Sequence, residues 1–322
     1  MGFWKSAKRE RQFETLASEA QVAEFGSPDT PRRIGAEWDN DPNRRGGTAN
    51  SLLIAGVERE FRWIPPGNFV MGLPGPANYC RYMDGFELCA PMRKVRLSRG
   101  FWLLSTPVTQ ELWRAATETN PSFFKGDDRP VENVSWNDCR KFLASLTNLA
   151  PPPRGWRWDL PTEAQWEYAA RSGTARLFSW GDKVDWLKAN CRPNPKYPTK
   201  IEPIGETTPV GRYQPNEWGL SDMCGNVYEW VKDFMGQYPD DASKFPTNED
   251  VDPFRGDSGD LPQFIDSKWT WASEGTGTAR VARGGSWNCQ IDMCCCMWRD
   301  CAPPEERNNE CGVRVALVAD LS

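Results

Sequence analysis

The chain has 322 residues, and 39% of them are hydrophobic, which is enough for one large domain or two ordinary ones with a sizeable core. Its net charge of -5 at pH 7 and its pI near 5.2 lack the basic excess typical of nucleic-acid-binding proteins, so no nucleic-acid partner is predicted. The sequence has no histidine, which excludes imidazole metal ligands, histidine general bases and histidine-activated nucleophiles.

The N-terminal residues "MGFWKSAKRERQFE" lack the apolar centre of a secretory signal, and no apolar run approaches the roughly 20 residues that span a bilayer. We therefore predict no membrane-spanning segment and a cytoplasmic location, with surface display left open. Cytosolic thiols stay reduced, and an odd number of cysteines, eleven, cannot all pair within the chain. Most cysteines are therefore expected to be free.

Residues 1–50 are charged and end in the turn-rich stretch "DNDPNRRGGTANS", which predicts a tail and linker with a helix over about 5–24. Residues 51–322 form the predicted folded domain, in which short strands and loops begin at about residue 60. The stretch from 234 to 280 has recurring Pro, Gly and Asp without a period, and is predicted to be long loops.

Three helices are predicted inside this domain. Thr109 begins the first, which ends before Pro121. The second has Ser135 as its N-cap and an apolar face at i, i+3, i+4 and i+7, formed by Cys139, Phe142, Leu143 and Leu146. The third begins with a capping box of Thr162 and Gln165 and ends at Gly173. Its apolar stripe is Trp166, Ala169 and Ala170. Seventeen tryptophans are expected to lie mainly in the core.

Seven blocks of sequence occur in an order that resembles the sulfatase-modifying-factor family, which includes the formylglycine-generating enzymes. They are "IPPGNFVMG", "GFWLLSTPVTQELW", "NPSFFKGDDRPVENVSWNDC", "LPTEAQWEYAARSG", "WGLSDMCGNVYEWVKDF", "RVARGGSW" and "GVRVAL". The resemblance covers about residues 58–318. It implies an α+β fold of the C-type lectin type, with little regular secondary structure, small antiparallel sheets and peripheral helices.

Fold does not settle function in this family, which includes copper-dependent cysteine oxidases, iron-dependent sulfoxide synthases and proteins that only bind. The sulfoxide synthases need a histidine triad, which this chain lacks. Structural zinc and iron-sulfur clusters are also disfavoured, because the run "NCQIDMCCCMWRDC" contains no C-x-x-C pair and consecutive cysteines on an extended chain point to opposite sides.

The similarity to the oxidases places two cysteines at the positions of their catalytic pair. In "GGSWNCQIDMC", Cys289 and Cys294 follow the Gly-Gly-Ser block and have the same spacing, which implies copper(I) bound by soft thiolates. However, the histidine, tyrosines and arginines that accompany the enzymes' pair are absent. A copper-dependent formylglycine-generating oxidase is therefore kept as the alternative function.

The main prediction is a non-catalytic binding protein similar to the variable proteins of diversity-generating retroelements. Gly284, Gly285, Trp287 and Arg314 match the family's retained frame, whereas scattered neighbours differ strongly in chemistry. We expect these neighbours to form an exposed surface, about 289–311, for a protein or other macromolecular ligand, with Trp298 and Met297 as anchors. The predicted binding residues are Cys289, Ile291, Met293, Cys295, Cys296, Met297, Trp298, Asp300, Cys301 and Ala302. An ordinary half-buried segment whose thiols act as small hydrophobes is the other interpretation.

The block "SDMCGNVYEW" resembles a calcium-binding block of the oxidases. The resemblance implies a structural calcium ion held by side-chain and carbonyl oxygen atoms of Asp222, Gly225, Val227 and Glu229, which are suitable ligands. The open alternative is that Glu229 binds only protein groups in the neighbouring loops.

Overall fold

The structure is a computed structural model that describes residues 38, 41–72, 89, 92–195, 199–236, 249–253, 262–265, 268–271 and 279–320. The predicted N-terminal helix over 5–24 and much of the predicted 234–280 loop lie outside the described residues. Within the described part, no helix has the length and apolar character needed to cross a membrane.

The core is built on a five-stranded antiparallel sheet with the strand order β1-β2-β5-β14-β6. The last of these strands in the sequence, β14, lies between β5 and β6, so a late segment of the domain completes its central sheet. Buried aromatic rings cover this sheet, among them Trp63 and Trp102, whose ring centroids lie 5.2 Å apart. The strands span Ala49–Ile54 (β1), Val57–Ile64 (β2), Phe101–Leu104 (β5), Trp156–Asp159 (β6) and Ala316–Ala319 (β14).

Three smaller sheets complete the described part of the fold, and two of their strand pairs are parallel. A four-stranded sheet has the order β12-β11-β7-β13, with β13 parallel to β7. A three-stranded sheet has the order β3-β4-β8, with β8 parallel to β4, and β9 pairs with β10. Their bounds are Gly67–Met71 (β3), Arg93–Leu97 (β4), Tyr228–Phe234 (β7), Glu249–Val251 (β8), Pro262–Ile265 (β9), Lys268–Trp271 (β10), Arg280–Arg283 (β11), Arg299–Ala302 (β12) and Cys311–Val313 (β13).

The three predicted helices are confirmed, with their caps. Helix α1 spans Gln110–Thr117 and is capped by Thr109; α2 spans Trp136–Leu149; α3 spans Glu163–Arg171. Both α2 and α3 begin with a capping box in which side chain and backbone satisfy each other's hydrogen bonds. Helix α2 buries the predicted face of Cys139, Phe142, Leu143 and Leu146.

The linker residues before β1 pack against the core. The guanidinium of Arg44 lies 5.4 Å from the ring centroid of Trp63 and 5.1 Å from that of Trp102. The backbone N–H of Gly47 donates to Trp63 O, and Trp63 N–H donates to Thr48 O, each with an N···O distance of 2.9 Å. These contacts place residues 41–48 on the folded domain. The division of the chain at about residue 50 stays a prediction.

Buried arginine–carboxylate pairs hold the C-terminal strands to the rest of the fold. Arg299 contacts Glu163 at 2.6 and 2.9 Å, and Arg314 contacts Glu229 at 2.7 Å. A third pair joins Arg283 to Glu167. Burying a charge is unfavourable unless a partner and hydrogen bonds compensate it, and here each guanidinium has a carboxylate. The pairs thus fix the segment that contains the cysteine-rich run.

Candidate functional site

The cysteine-rich run begins at a tight turn after β11. Gly284 and Gly285 have φ values of 97° and 74°, in the left-handed region that favours glycine. A Cβ added to Gly285 would lie 2.6 Å from Cys294 Sγ, closer than such atoms approach. Both glycines are therefore framework residues, and the turn packs directly on the 3-10 helix Ile291–Cys294 that follows it.

A single arginine fixes the backbone of the run. The Arg283 guanidinium donates to the carbonyl oxygens of Met297 at 2.8 Å, Trp298 at 2.6 Å and Cys296 at 3.0 Å. The backbone N–H of Cys296 donates in turn to Leu177 O at 2.8 Å. The segment therefore runs between the buried charge of Arg283 and the loop that contains Leu177.

This course of the backbone corrects the predicted surface. The expected exposure of the two anchors is wrong, because Trp298 is 6% exposed and Met297 is 1% exposed. Their side chains face the interior, where apolar and sulfur-containing side chains gain from leaving water. Six of the ten predicted binding residues are buried, as the alternative interpretation of small hydrophobes expected, and these are Cys289, Ile291, Cys295, Cys296, Met297 and Trp298.

Four of the predicted binding residues reach solvent. Asp300 is exposed, and Met293, Cys301 and Ala302 are half-buried. Three of them lie in β12, the outer strand of its sheet. These four are the predicted binding residues that the fold leaves accessible.

A connected group of side chains lies around the start of the run, and we call it the Trp287 face: Phe123, Trp287, Asn288, Asp300 and Glu310. Phe123 is 68% exposed and packs edge-on against Phe124, whose ring lies 5.2 Å from that of Trp287. Asn288 donates to Glu310 at 3.0 Å. The packing of protein around the Asp300 carboxyl raises its pKa, although the residue lies at the surface.

Cys289 lies directly beneath the Trp287 face and has its own polar partners. Its Sγ–H donates to Tyr228 Oη at 3.1 Å, and its Sγ lies 3.2 Å from Ser286 Oγ. The Ser286 hydroxyl donates its proton to the Glu310 carboxylate at 2.5 Å. Burial raises the pKa of the Cys289 thiol to about 11, so the group is protonated at neutral pH.

Cys294, the other member of the predicted copper pair, has different neighbours. Its Sγ lies 3.7 Å from Gln290 O and 3.9 Å from Ser286 O, and the neighbouring Cys191 thiol, together with burial, raises the pKa of Cys294 well above its ordinary value. None of the hydrogen bonds among the described residues joins Cys289 to Cys294. Thiols suit copper(I), so the donor chemistry fits, but the thiol beside Cys294 is that of Cys191.

The predicted calcium ligands do not fit a calcium ion as they stand. Glu229 Oε2 accepts from Trp166 Nε1 at 2.6 Å, and both its oxygen atoms contact Arg314, so a guanidinium neutralises this carboxylate. Asp222 accepts from Gly211 N–H at 2.7 Å, and burial raises its pKa to about 6. Among the described residues, no three Cys, Asp or Glu side chains are grouped to hold a metal ion.

Unpartnered oxygen atoms occur close to this block instead. Asn190 Oδ1 and Thr208 Oγ1 are buried and have no hydrogen-bond partner in the described structure. Both residues bond to Asn226, since Asn190 Nδ2 lies 3.4 Å from Asn226 Oδ1, which accepts from Thr208 N–H at 2.9 Å. Uncharged amide, hydroxyl and carbonyl oxygens are ligands that calcium accepts.

Sequence reasoning missed several residues of the site. Tyr228 and Glu310 lie close to Cys289, and Phe123 supplies the exposed ring of the face, but the sequence patterns indicated none of the three. The adjacent pair in "NPSFF", in a turn-rich stretch, is a signal that could have indicated Phe123, because two large rings there cannot both be buried easily. Tyr228 and Glu310 gave no comparable local signal.

Fold and site together define an α+β protein of the C-type lectin type, with a C-terminal segment held on buried ion pairs beneath a partly exposed aromatic and acidic face. A family model described as a sulfatase-modifying factor enzyme 1-like domain matches residues 55–319. The chain belongs to this family.

Individual relatives agree with this placement. The formylglycine-generating enzyme of Streptomyces coelicolor is 33% identical over 224 residues, which cover 65% of this chain and 59% of that enzyme. Treponema denticola variable protein 1 has a similar structure, with a TM-score of 0.64 and 23% identity over 83% of this chain and 98% of that one. PvdO from Pseudomonas aeruginosa gives a TM-score of 0.60 at 24% identity, over 85% and 99% of the two chains.

These comparisons differ in what they cover. The solved structures share the fold across nearly their whole length, whereas the chain spans only 59% of the Streptomyces coelicolor enzyme. The family and the C-type lectin-like fold are therefore confirmed. The activity of the related enzyme is a separate matter.

Proposed function

We propose that this protein is a non-catalytic binding protein whose Trp287 face holds a protein or other macromolecular ligand, in the manner of retroelement variable proteins. The observation that carries the proposal is an exposed aromatic anchor, Phe123, in contact through Phe124 with Trp287 at the start of the cysteine-rich run. Exposed aromatic side chains on a rigid frame are typical anchors of binding surfaces.

The composition of the frame supports the same proposal. Arg283 holds the backbone of the run, and it is fully buried and ion-paired, as are Arg299 and Arg314. Asp300 and Phe123 stand outside these pairs and reach solvent. A surface of this kind accepts substitution without loss of the fold, which is the property a display scaffold requires. Met293, Cys301 and Ala302 extend the proposed contact area.

Selection from a random-peptide display library on the immobilised full chain tests the proposal. We expect selected peptides to bind Phe123→Ala or Asp300→Ala at least about 10-fold more weakly, which corresponds to about 1.4 kcal/mol. Leu53→Ala is the matched control, because Leu53 is also a large exposed residue but lies in β1. Peptides that bind the double variant Phe123→Ala/Asp300→Ala as tightly as the parent would contradict the proposed face.

The neighbouring DNA gives a second test of the retroelement part of the proposal. A reverse transcriptase gene, together with a near-copy of the codons for residues 283–318, would support it. If neither is present, the protein is a binding module of another origin. The predicted cytoplasmic location can be checked in the same host by fractionation.

A copper-dependent oxidase is the second candidate, and one observation favours it. The hydroxyl oxygens of Ser286 and Tyr228 lie within 3.2 Å of the Cys289 sulfur, so two polar groups contact this buried thiol. In such an enzyme, bound copper(I) would supply the chemistry by which oxygen oxidises the substrate cysteine. Here Ser286 and Tyr228 would orient the Cys289 thiol, and the Trp287 face would hold the substrate peptide.

A peptide containing Cys-x-Pro-x-Arg, supplied with copper(I) and oxygen, separates the two candidates. We expect no conversion of the substrate cysteine to formylglycine by mass spectrometry. Turnover that is lost in both Cys289→Ser and Cys294→Ser would instead establish the oxidase and displace the binding proposal.

Calcium is proposed as a structural ion, at a position shifted from the one that the sequence resemblance implied. The proposal is supported by the unpartnered oxygen atoms of Asn190 and Thr208 around Asn226. An ion there would tie the loop of residues 189–192 to the loop of residues 206–208.

A further inference from the structure

Three cations share one buried carboxylate where α2 packs against β6. Arg140 Nη1 lies 2.7 Å from Asp159 Oδ1, which also accepts from Leu160 N–H at 2.9 Å. Arg157 Nη2 and Lys232 Nζ lie 3.2 and 2.9 Å from the other oxygen atom, Oδ2. The single negative charge of this carboxylate therefore balances only one of the three positive charges that contact it.

A fourth cation, Arg280, joins this group across the ring of Trp136. Arg280 Nη1 donates to Lys232 O at 2.7 Å, and its guanidinium carbon lies 3.8 Å from the ring centroid of Trp136 and 3.3 Å from that of Phe234. Arg140 lies over the same indole, with its guanidinium carbon 5.7 Å from the centroid. These cations come from α2, β6, β7 and β11, and we call them the α2–β6 cluster: Arg140, Arg157, Lys232 and Arg280.

Positive charge exceeds negative charge in the α2–β6 cluster. Among the described residues, two carboxylates, Asp159 and Asp233, act on its four cations. Burial, and then the positive charge of Arg140, lowers the pKa of Arg280 to about 10 against the opposing effect of Asp233. Arg280 Nε is also buried without a hydrogen-bond partner in the described structure. Gathering like charges is unfavourable unless an anion compensates them, although the chain as a whole is acidic, with a net charge of -5.

Two arginines of the cluster are open to solvent. The side chains of Arg140 and Arg157 are 45% and 43% exposed, whereas that of Asp159, which they share, is 6% exposed. Each arginine contacts this carboxylate through one terminal nitrogen, and a guanidinium has five N–H donors in a planar fork. Both therefore keep donors for an oxyanion that approaches from the solvent side.

We propose that Arg140 and Arg157, with Lys232 beside them, form a binding site for a phosphate group. A phosphate dianion matches an excess of positive charge, and its tetrahedral oxygen atoms accept hydrogen bonds from two guanidinium forks at once. A carboxylate has one negative charge and two oxygen atoms, so it compensates the cluster less well. The site lies outside the Trp287 face and does not depend on ligand binding there.

Calorimetric titration of the folded full-length protein with inorganic phosphate tests the site, at low ionic strength so that exposed charges are not screened. We expect saturable binding of one phosphate ion by the parent protein. Arg140→Gln and Arg157→Gln should each weaken binding at least about 10-fold, because each removes charge-assisted hydrogen bonds. The double variant Arg140→Gln/Arg157→Gln should show no measurable binding.

Arg114→Gln is the matched control. Arg114 is 44% exposed and pairs one-to-one with Asp127 at 2.8 Å, so its replacement removes the same charge from an equally exposed position outside the cluster. Phosphate binding should stay within about twofold of the parent. Thermal unfolding verifies that each variant is folded. Acetate, titrated in the same way, should bind the parent at least about 10-fold more weakly than phosphate.

Phenyl phosphate distinguishes two sources of the phosphate group, and either result supports the site. Binding as tight as that of inorganic phosphate would indicate a phosphate monoester on a larger molecule, whereas binding of inorganic phosphate alone would indicate the free ion. Phosphate binding that survives in the double variant, or that falls equally in Arg114→Gln, would overturn the proposal. Acetate binding as tight as phosphate binding, or no saturable binding by the folded parent, would also overturn it. The peptide-selection test of the Trp287 face is independent of all these outcomes.

Discussion

The guanidinium of Arg314 lies against the carboxylate of Glu229 in the interior, with Nη2 2.7 Å from Oε1 and Nε 3.0 Å from Oε2. Both side chains are almost completely excluded from solvent. The pair joins the C-terminal residues to β7, which lies in the same sheet as β11 and β12. The Glu229 carboxylate, which the sequence resemblance implied to be a calcium ligand, is therefore paired with an arginine of the frame beneath the proposed binding surface.

Removal of Arg314 should be strongly destabilising, because Glu229 would remain as a buried charge without its partner. We expect Arg314→Met to lower the free energy of unfolding by about 3–5 kcal/mol. Arg307→Met is the matched control, since Arg307 also makes two contacts with a carboxylate, that of Asp138, but is half exposed. The control should lower the free energy of unfolding far less, because water screens an exposed ion pair.

Urea unfolding of both variants measures this difference. Equal small losses of unfolding free energy would show that Arg314 is not needed to compensate the buried carboxylate of Glu229. Equal large losses would indicate that the surface pair of Arg307 has a structural role of its own.

Trp298 should behave as a core residue and not as a surface anchor. Trp298→Ala is expected to cost about 3–5 kcal/mol of unfolding free energy, as large-to-small changes in cores do. Phe123→Ala, at a ring that is 68% exposed, should change stability by only about 0.5 kcal/mol. Chemical denaturation of the two variants gives the comparison. A Trp298→Ala protein as stable as the parent would show that Trp298 is not a core residue.

Glu132 should make stability fall as pH rises from about 4.5 to about 7. It is buried, its Oε1 accepts from Phe124 N–H at 2.8 Å, and burial raises its pKa from 4.5 to about 7. Across this window the folded state keeps a proton that the unfolded state has lost, so each rise in pH favours unfolding, and the effect levels off above the folded-state pKa.

Glu132→Gln isolates this contribution because the amide does not titrate. Relative to the parent, the variant should gain on the order of 2 kcal/mol of stability between pH 5 and pH 8. Asp222, whose pKa is raised to about 6, contributes with the same sign but is present in both proteins. A stability difference that does not change with pH would contradict the assignment of Glu132.

Calcium should stabilise the protein through Asn190. We expect saturating calcium to raise the Tm of the parent, as any ligand that binds only the folded state does, and Asn190→Ala to remove the rise. Asp222→Asn is the control and should keep it, because Asp222 already accepts a hydrogen bond from Gly211. A calcium response lost in Asp222→Asn but kept in Asn190→Ala would support the ligand set implied by the sequence resemblance.

The helices show how far local sequence signals reach. The capping box of α2 joins Ser135 to Asp138, three residues away, and its apolar face repeats within one or two turns. Such signals act between neighbours in the chain, so they are visible without the fold. Seven ordered blocks then indicated the family, which the match over residues 55–319 confirmed.

The cysteine-rich run shows where such signals stop. Six cysteine, isoleucine, methionine and tryptophan residues that were expected on a surface are in the core, because Arg283 binds the carbonyls of Cys296, Met297 and Trp298. Burial depends on which distant segment covers a residue, and the residue types in this run fit either place. No pattern inside the run distinguishes a buried position from an exposed one.

By itself the sequence determined the family, the α+β lectin-type fold, the three capped helices and the exclusion of histidine chemistry, because each depends on residue identity or on contacts within a few positions. Only the tertiary structure decided which cysteines are neighbours, which side chains reach solvent and which charge faces Glu229. Those properties arise where loops distant in sequence meet, and the energy of a buried group is set by whatever the fold brings against it.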